Sequence, residues 1–203
     1  MSAHFFKMSL RSLVPIEWGD YGDILQHGMT AHRPRIDGQL ALERTGPYIP
    51  PITFPGIGDI VLTTSARQLL EGSDLTGFTF RPVQKVLTVE VNWQDWDLNA
   101  EEPYFYPDSG EPEDYILGQP DSENACAALG DLWEICVPVT ATVLRPKEIV
   151  DSYNELRLDL GTWKGQDLVK SNGYGSLLFS QRAHDWFLSH LPEYVEFHEF
   201  PTT

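Results

Sequence analysis

From Val86 to Leu144 the chain has no lysine, arginine or histidine. The same stretch carries Glu90, Asp95, Asp97, Glu101, Glu102, Asp108, Glu111, Glu113, Asp114, Asp121, Glu123, Asp131 and Glu134. It therefore holds most of the acidic excess behind a formal net charge of -16. A surface of that sign repels nucleic acid and anionic membrane, and attracts basic proteins or cations. Cysteine is scarce too: Cys126 and Cys136 are the only two, with no CxxC and no nearby histidine. Neither a disulfide framework nor a zinc site is expected, and both thiols are read as small buried side chains. No apolar run approaches the roughly 20 residues of a membrane helix. The start, Met1 to Met8, lacks the charged and apolar regions of a signal peptide, so a cytoplasmic location is expected.

Sequences that mark enzymes are missing as well. Gly56-Ile57-Gly58-Asp59 precedes a strand instead of opening a helix, so it is no phosphate loop. In Gly173-Tyr174-Gly175-Ser176 the serine leads into a strand, which a nucleophile elbow would not do. Asp108-Ser109-Gly110-Glu111 with Glu113-Asp114 offers the dense loop carboxylates that suit Ca²⁺, a third reading in which the loop folds on that ion, but misses the EF-hand spacing. Among the histidines, His184 is placed on the solvated face of a helix, opposite Ala183, Trp186 and Phe187. His190 falls at that helix's end, where a cation suits the dipole, and His198 alternates outward. No catalytic residue, metal or cofactor is expected.

What is present is a globular composition, 41% hydrophobic and 12% aromatic over 203 residues, enough for one compact domain. Three prolines between Thr45 and Ile52 forbid a helix there. Asp59 to Thr63 is a β-branched run, after which Thr63 or Thr64 caps a short helix with Ala66, Leu69 and Leu70 on one face. Phe78 to Phe80 follows as a strand, then Leu87, Val89, Val91 and Trp93 on one face of another. Residues 94–120 contain four prolines and no periodicity, and are expected to form a long loop. Asp121 or Ser122 caps a helix carrying Ala125, Ala128, Leu129, Leu132 and Trp133. Ile135 to Val143 alternates as one strand, with Pro138 marking an edge position or a bulge, and Leu156, Leu158 and Leu160 alternate again.

An internal repeat links the two ends. At a shift of 117 residues, Ile60-Val61-Leu62 meets Leu177-Leu178-Phe179, Thr63 meets Ser180, Ala66 meets Ala183 and Phe80 meets Phe197. Each copy is a strand, a hydroxyl cap, a short helix and a strand. The expectation is an α+β fold of mixed and antiparallel sheets with short helices. Its repeated halves would be 1–93 and 121–203, joined by the acidic loop 94–120.

That loop interleaves its acids with aromatic residues, an unneeded cost if it served only solubility. Aromatic anchors supply affinity and carboxylates steer a basic partner. The candidate partner-binding residues are Trp93, Asp95, Trp96, Asp97, Glu101, Glu102, Tyr104, Tyr106, Glu111, Glu113 and Asp114. The segments Ile60 to Phe80 and Leu178 to Phe197 resemble recurrent segments of immunity proteins from bacterial polymorphic and contact-dependent toxin systems, including the myxobacterial double-CxxCG group. The CxxCG motifs themselves are absent, so no metal binding carries over. The resemblance implies a small cytoplasmic protein that binds and neutralises a co-encoded toxin and has no catalytic residues. The other reading from sequence is an enzyme or small-ligand binder with a cleft between the two halves.

Overall fold

The computed structural model describes residues 3–13, 19–30, 33–91, 118–145 and 156–203. The fold is α+β, with short helices and several mixed or antiparallel sheets. The chain divides into two compact units. The first comprises Met1–Arg11, Leu70–Thr79 and Ile135–Thr203, and the second Ser12–Leu69 and Phe80–Glu134. These boundaries do not follow the halves 1–93 and 121–203, because the N-terminal strand joins the C-terminal third of the chain.

In the first unit, six strands run in the order β12-β1-β11-β10-β8-β9. They are β1 (Phe5–Leu10), β8 (Val139–Leu144), β9 (Arg157–Leu158), β10 (Leu168–Asn172), β11 (Leu178–Ser180) and β12 (Val195–Phe200). Beyond β12 the chain reaches the far edge of this sheet: the Leu158 N–H donates to Pro201 O at 2.9 Å, and the Thr203 N–H to Leu158 O at 3.0 Å. The sheet thus curls toward closure around a core of Phe5, Ala141, Val143, Leu156, Leu158, Val169, Leu178 and Phe200. Helix α4 (Gln181–His190) follows β11 and buries Ala183 and Phe187.

The second unit contains the sheet β3-β4-β7-β5 and a parallel pair, β2 with β6. Its strands are β2 (Ala41–Gly46), β3 (Ile52–Gly56), β4 (Asp59–Thr63), β5 (Thr79–Pro82), β6 (Gln84–Glu90) and β7 (Leu132–Cys136). Among the described residues three helices accompany them: α1 (Gly19–His27), α2 (Thr64–Glu71) and α3 (Glu123–Ala128).

The repeated segments take the same local structure. Thr63 Oγ1 accepts from the Ala66 N–H, and Ser180 Oγ from the Ala183 N–H, each at 3.3 Å. In both copies the last two strands are separated by one from elsewhere in the chain: β7 lies between β4 and β5, and β1 between β11 and β12. Even the register agrees. Thr63 pairs with Leu132 and Leu62 with Trp133, just as Ser180 pairs with Phe5 and Phe179 with Phe6. Because β1 is antiparallel to both β11 and β12, those two strands are parallel to each other, connected through α4. Removing the cap hydroxyl of the first copy (Thr63→Ala) is expected to cost about 1 kcal/mol in denaturant unfolding.

The local pattern misleads at three places. The helix after Ser122 stops at Ala128, with Gly130 at φ 65, so Leu132 and Trp133 belong to β7, where pairing with β4 holds them. The run from Ile135 to Val143 is two strands, β7 and β8, broken at the dipeptide that includes Pro138. In α2, Ala66 and Leu70 are buried, but Leu69 is 52% exposed. That helix of eight residues presents only a narrow stripe inward.

Candidate functional site

All the candidate partner-binding residues, Trp93, Asp95, Trp96, Asp97, Glu101, Glu102, Tyr104, Tyr106, Glu111, Glu113 and Asp114, lie outside the described residues. So do Asp108 to Asp114, considered for calcium. The structure does describe the base from which this segment departs and to which it returns. The Val91 N–H donates to Gly46 O at 2.8 Å as the chain leaves β6. On its return Asp121 bridges to Val89, and the Ser122 N–H donates to Thr88 O at 2.8 Å. Asp121 Oδ1 accepts from the Thr88 N–H at 2.7 Å, while Ser122 Oγ donates to Glu90 Oε2 at 3.0 Å and caps α3. The exit is therefore fastened to the end of β2, and the return to the last residues of β6.

The described acids of the 86–144 stretch separate by task. Asp121 and Glu90 fasten the base. Glu134, almost fully buried in β7, takes a bidentate pair from the Arg35 guanidinium at 2.7 and 2.8 Å. Glu123 and Asp131 are exposed. Nearby, the Lys85 ammonium donates to Cys126 O at 2.6 Å and Gly130 O at 2.8 Å, closing the end of α3. Cys126 and Cys136 form no disulfide; both are half-buried, in α3 and β7 as read. Among the described residues no group of histidine, cysteine or carboxylate side chains forms a metal cluster.

His184 departs from expectation. It is half-buried, with its ring stacked on Phe6 at 4.2 Å and tilted against Phe197 at 4.9 Å. Nδ1 lies 2.7 Å from Asp185 Oδ1, and this bond, with one from Gln181, holds the Asp185 carboxyl below its ordinary pKa. The equivalent position in the other copy is Arg67, whose guanidinium lies 3.9 Å from the Trp133 ring centroid and 5.3 Å from Phe80. Both copies thus press a cationic or polar side chain against an aromatic of the inserted strand and a phenylalanine of the last strand. The helix's own periodicity contains neither aromatic partner, which is why His184 reads as solvated from sequence. His190 also stacks, on Trp186 at 4.4 Å, and donates through Nδ1 to Trp186 O at 2.8 Å.

The second unit also buries two basic groups that the sequence did not single out. Arg44, in a β2 strand buried at every position, has no exposed surface. Its Nε donates to Thr45 O at 2.8 Å and its Nη2 to Tyr48 O at 3.4 Å, while Nη1 has no hydrogen-bond partner. Burial lowers its pKa to about 9. His27, at the end of α1, is 8% exposed, and its Nδ1 has no partner. Burial first, and the Arg44 charge second, lower its pKa to about 4. Nothing in the local sequence marks it, because Arg44 stands between Glu43 and Thr45 as a solvated strand residue would.

Set against protein-family models, curated proteins and solved structures, the chain matches none.

Proposed function

We propose that this protein is an immunity protein that binds and neutralises a co-encoded bacterial toxin. The partner is a protein with a basic surface, and the contact is the acidic, aromatic segment between Trp93 and Tyr115. The carrying observation is the segregation of charge: thirteen acids and no cation between Val86 and Leu144, with Trp, Tyr and Phe among them. Two further points support this reading. Asp121 and Glu90 are spent on fastening the base of the segment, which holds its return to the last residues of β6. Glu134 is neutralised by Arg35, so the unspent carboxylates concentrate in the segment itself.

In this reading Trp96, Tyr104 and Tyr106 are anchors, and Asp95, Asp97, Glu101, Glu102, Glu111, Glu113 and Asp114 steer the encounter. A specific complex buries roughly 1,200–2,000 Å². The test is co-purification with the product of the adjacent gene, together with rescue of cells from that product's toxicity. A tight complex with rescue is expected, and absence of both sinks the reading. Within such a complex, Trp96→Ala with Tyr104→Ala should raise the dissociation rate about 30-fold. Replacing Glu101, Glu102, Glu111 and Glu113 by glutamine should instead slow association and flatten its dependence on salt. Surface plasmon resonance at several ionic strengths separates the two effects.

A further inference from the structure

We propose that Arg44, His27 and Thr88 hold a small monatomic anion, chloride, inside the second unit. Among the buried polar atoms of this unit that lack a hydrogen-bond partner are Arg44 Nη1, His27 Nδ1 and Thr88 Oγ1. They belong to one neighbourhood. Thr88 on β6 is the register partner of Arg44 on β2. A Cβ built at Gly46, two residues along β2 and so on the same face as Arg44, would lie 3.1 Å from the Thr88 methyl, which places Thr88 on that face. On the other side Gly28, the residue after His27, is so close that a Cβ there would meet the Arg44 Cβ at 2.6 Å. After burial, the Arg44 charge is the second cause of the lowered His27 pKa.

The chemistry of the cluster selects the occupant. All three groups can donate: a guanidinium N–H, an imidazole N–H in the Nδ1-protonated tautomer, and a hydroxyl. Among the described residues the Arg44 guanidinium donates to two carbonyls, and neither carries a formal charge. A buried cation without an anion is costly, and one univalent ion offsets it. Arg44 is wholly removed from solvent. With only three free donors, a tetrahedral oxyanion would leave oxygens unsatisfied, whereas a sphere accepts all three without directional demand. Water would satisfy the donors and leave the charge uncompensated.

The experiment compares thermal unfolding of the full chain in sodium chloride and sodium gluconate at equal ionic strength. Chloride at ten times its dissociation constant should raise Tm by about 3–6 °C, saturably, with bromide acting alike. Arg44→Met, which keeps the side chain's bulk, should abolish the difference, and Thr88→Val should shrink it. Equal Tm in both salts, as a water-filled site would give, overturns the proposal; so does a difference that survives Arg44→Met. Should Arg44→Met fail to fold, ³⁵Cl line broadening on the wild-type protein decides. Excess broadening reversed by bromide and weakened by Thr88→Val supports the site, and none overturns it.

Discussion

In chloride-free buffer, lowering the pH from 6.5 to 4 should remove about 3 kcal/mol of stability through His27 alone. The unfolded chain carries this imidazole with a pKa near 6.5, while burial and the Arg44 charge bring it to about 4 in the fold. Between those values the unfolded state binds a proton that the folded state refuses. Stability therefore rises with pH across the window. The contribution is complete above pH 6.5, falls as the pH drops, and stops falling below about 4. Denaturant unfolding at half-unit steps measures it, and His27→Leu should flatten the slope in that window. If His27→Leu keeps the full slope, carboxylates elsewhere carry it. Chloride, which would accept a hydrogen bond from the charged ring, should lessen the loss in the wild type.

The parts of this fold that can be read from sequence are those whose reasons are local. Thr63 and Ser180 announce their helices because a hydroxyl, followed three residues later by a small apolar side chain, is all that an N-cap requires. Both do cap, through Ala66 and Ala183. The segment Asp59 to Thr63 shows itself because a short β-branched run needs no partner to be recognised. Leu132 and Trp133 are lost to that kind of reading, since their spacing suits a helix as well as a strand. Gly130 and the pairing with β4 settle it. The strand inserted into each repeated unit is invisible to a shift of 117 residues. Trp133 and Phe6 are equivalent by register, yet they are 127 positions apart. The environments of His184 and Arg67 depend on exactly those strands, so they became legible only with the sheet order. Arg44 and His27 escaped for a related reason: burial of a charge is a property of the packed neighbours. The proposed contact residues, from Trp93 to Asp114, were singled out by composition alone, and the structure adds only the fastening of their base.

Asp167→Ala should cost the first unit about 3–4 kcal/mol, because one carboxylate serves three donors in a buried place. Asp167 is 3% exposed. Its Oδ1 accepts from Ser180 Oγ at 2.8 Å, and its Oδ2 from both the backbone N–H and the hydroxyl of Thr76 at 3.0 Å. The main chain runs the same tie: the Asp167 N–H donates to Thr76 O at 3.1 Å, and the Ser180 N–H to Asp167 O at 2.8 Å. Gly77, at φ 97, lets the chain pass this close, since a Cβ there would meet Leu168 O at 2.5 Å. Arg182 approaches Oδ2 at 3.5 Å but is largely exposed and adds little. Truncation to alanine strands two hydroxyls and an amide. Asparagine keeps an acceptor, so Asp167→Asn should cost about half as much. Ser180→Ala, which loses the helix cap and one of the three bonds, should fall below both. The other copy offers an internal control. There the Thr63 N–H donates to Pro51 O and its hydroxyl meets Ser65 Oγ at 3.1 Å, and among the described residues no carboxylate hydrogen-bonds the cap. Thr63→Ala should consequently be milder than Ser180→Ala. Denaturant unfolding of the four variants gives the order Asp167→Ala, Asp167→Asn, Ser180→Ala, Thr63→Ala. If Asp167→Asn matches Asp167→Ala, the carboxylate charge and not its acceptor geometry holds the 70–79 segment in place.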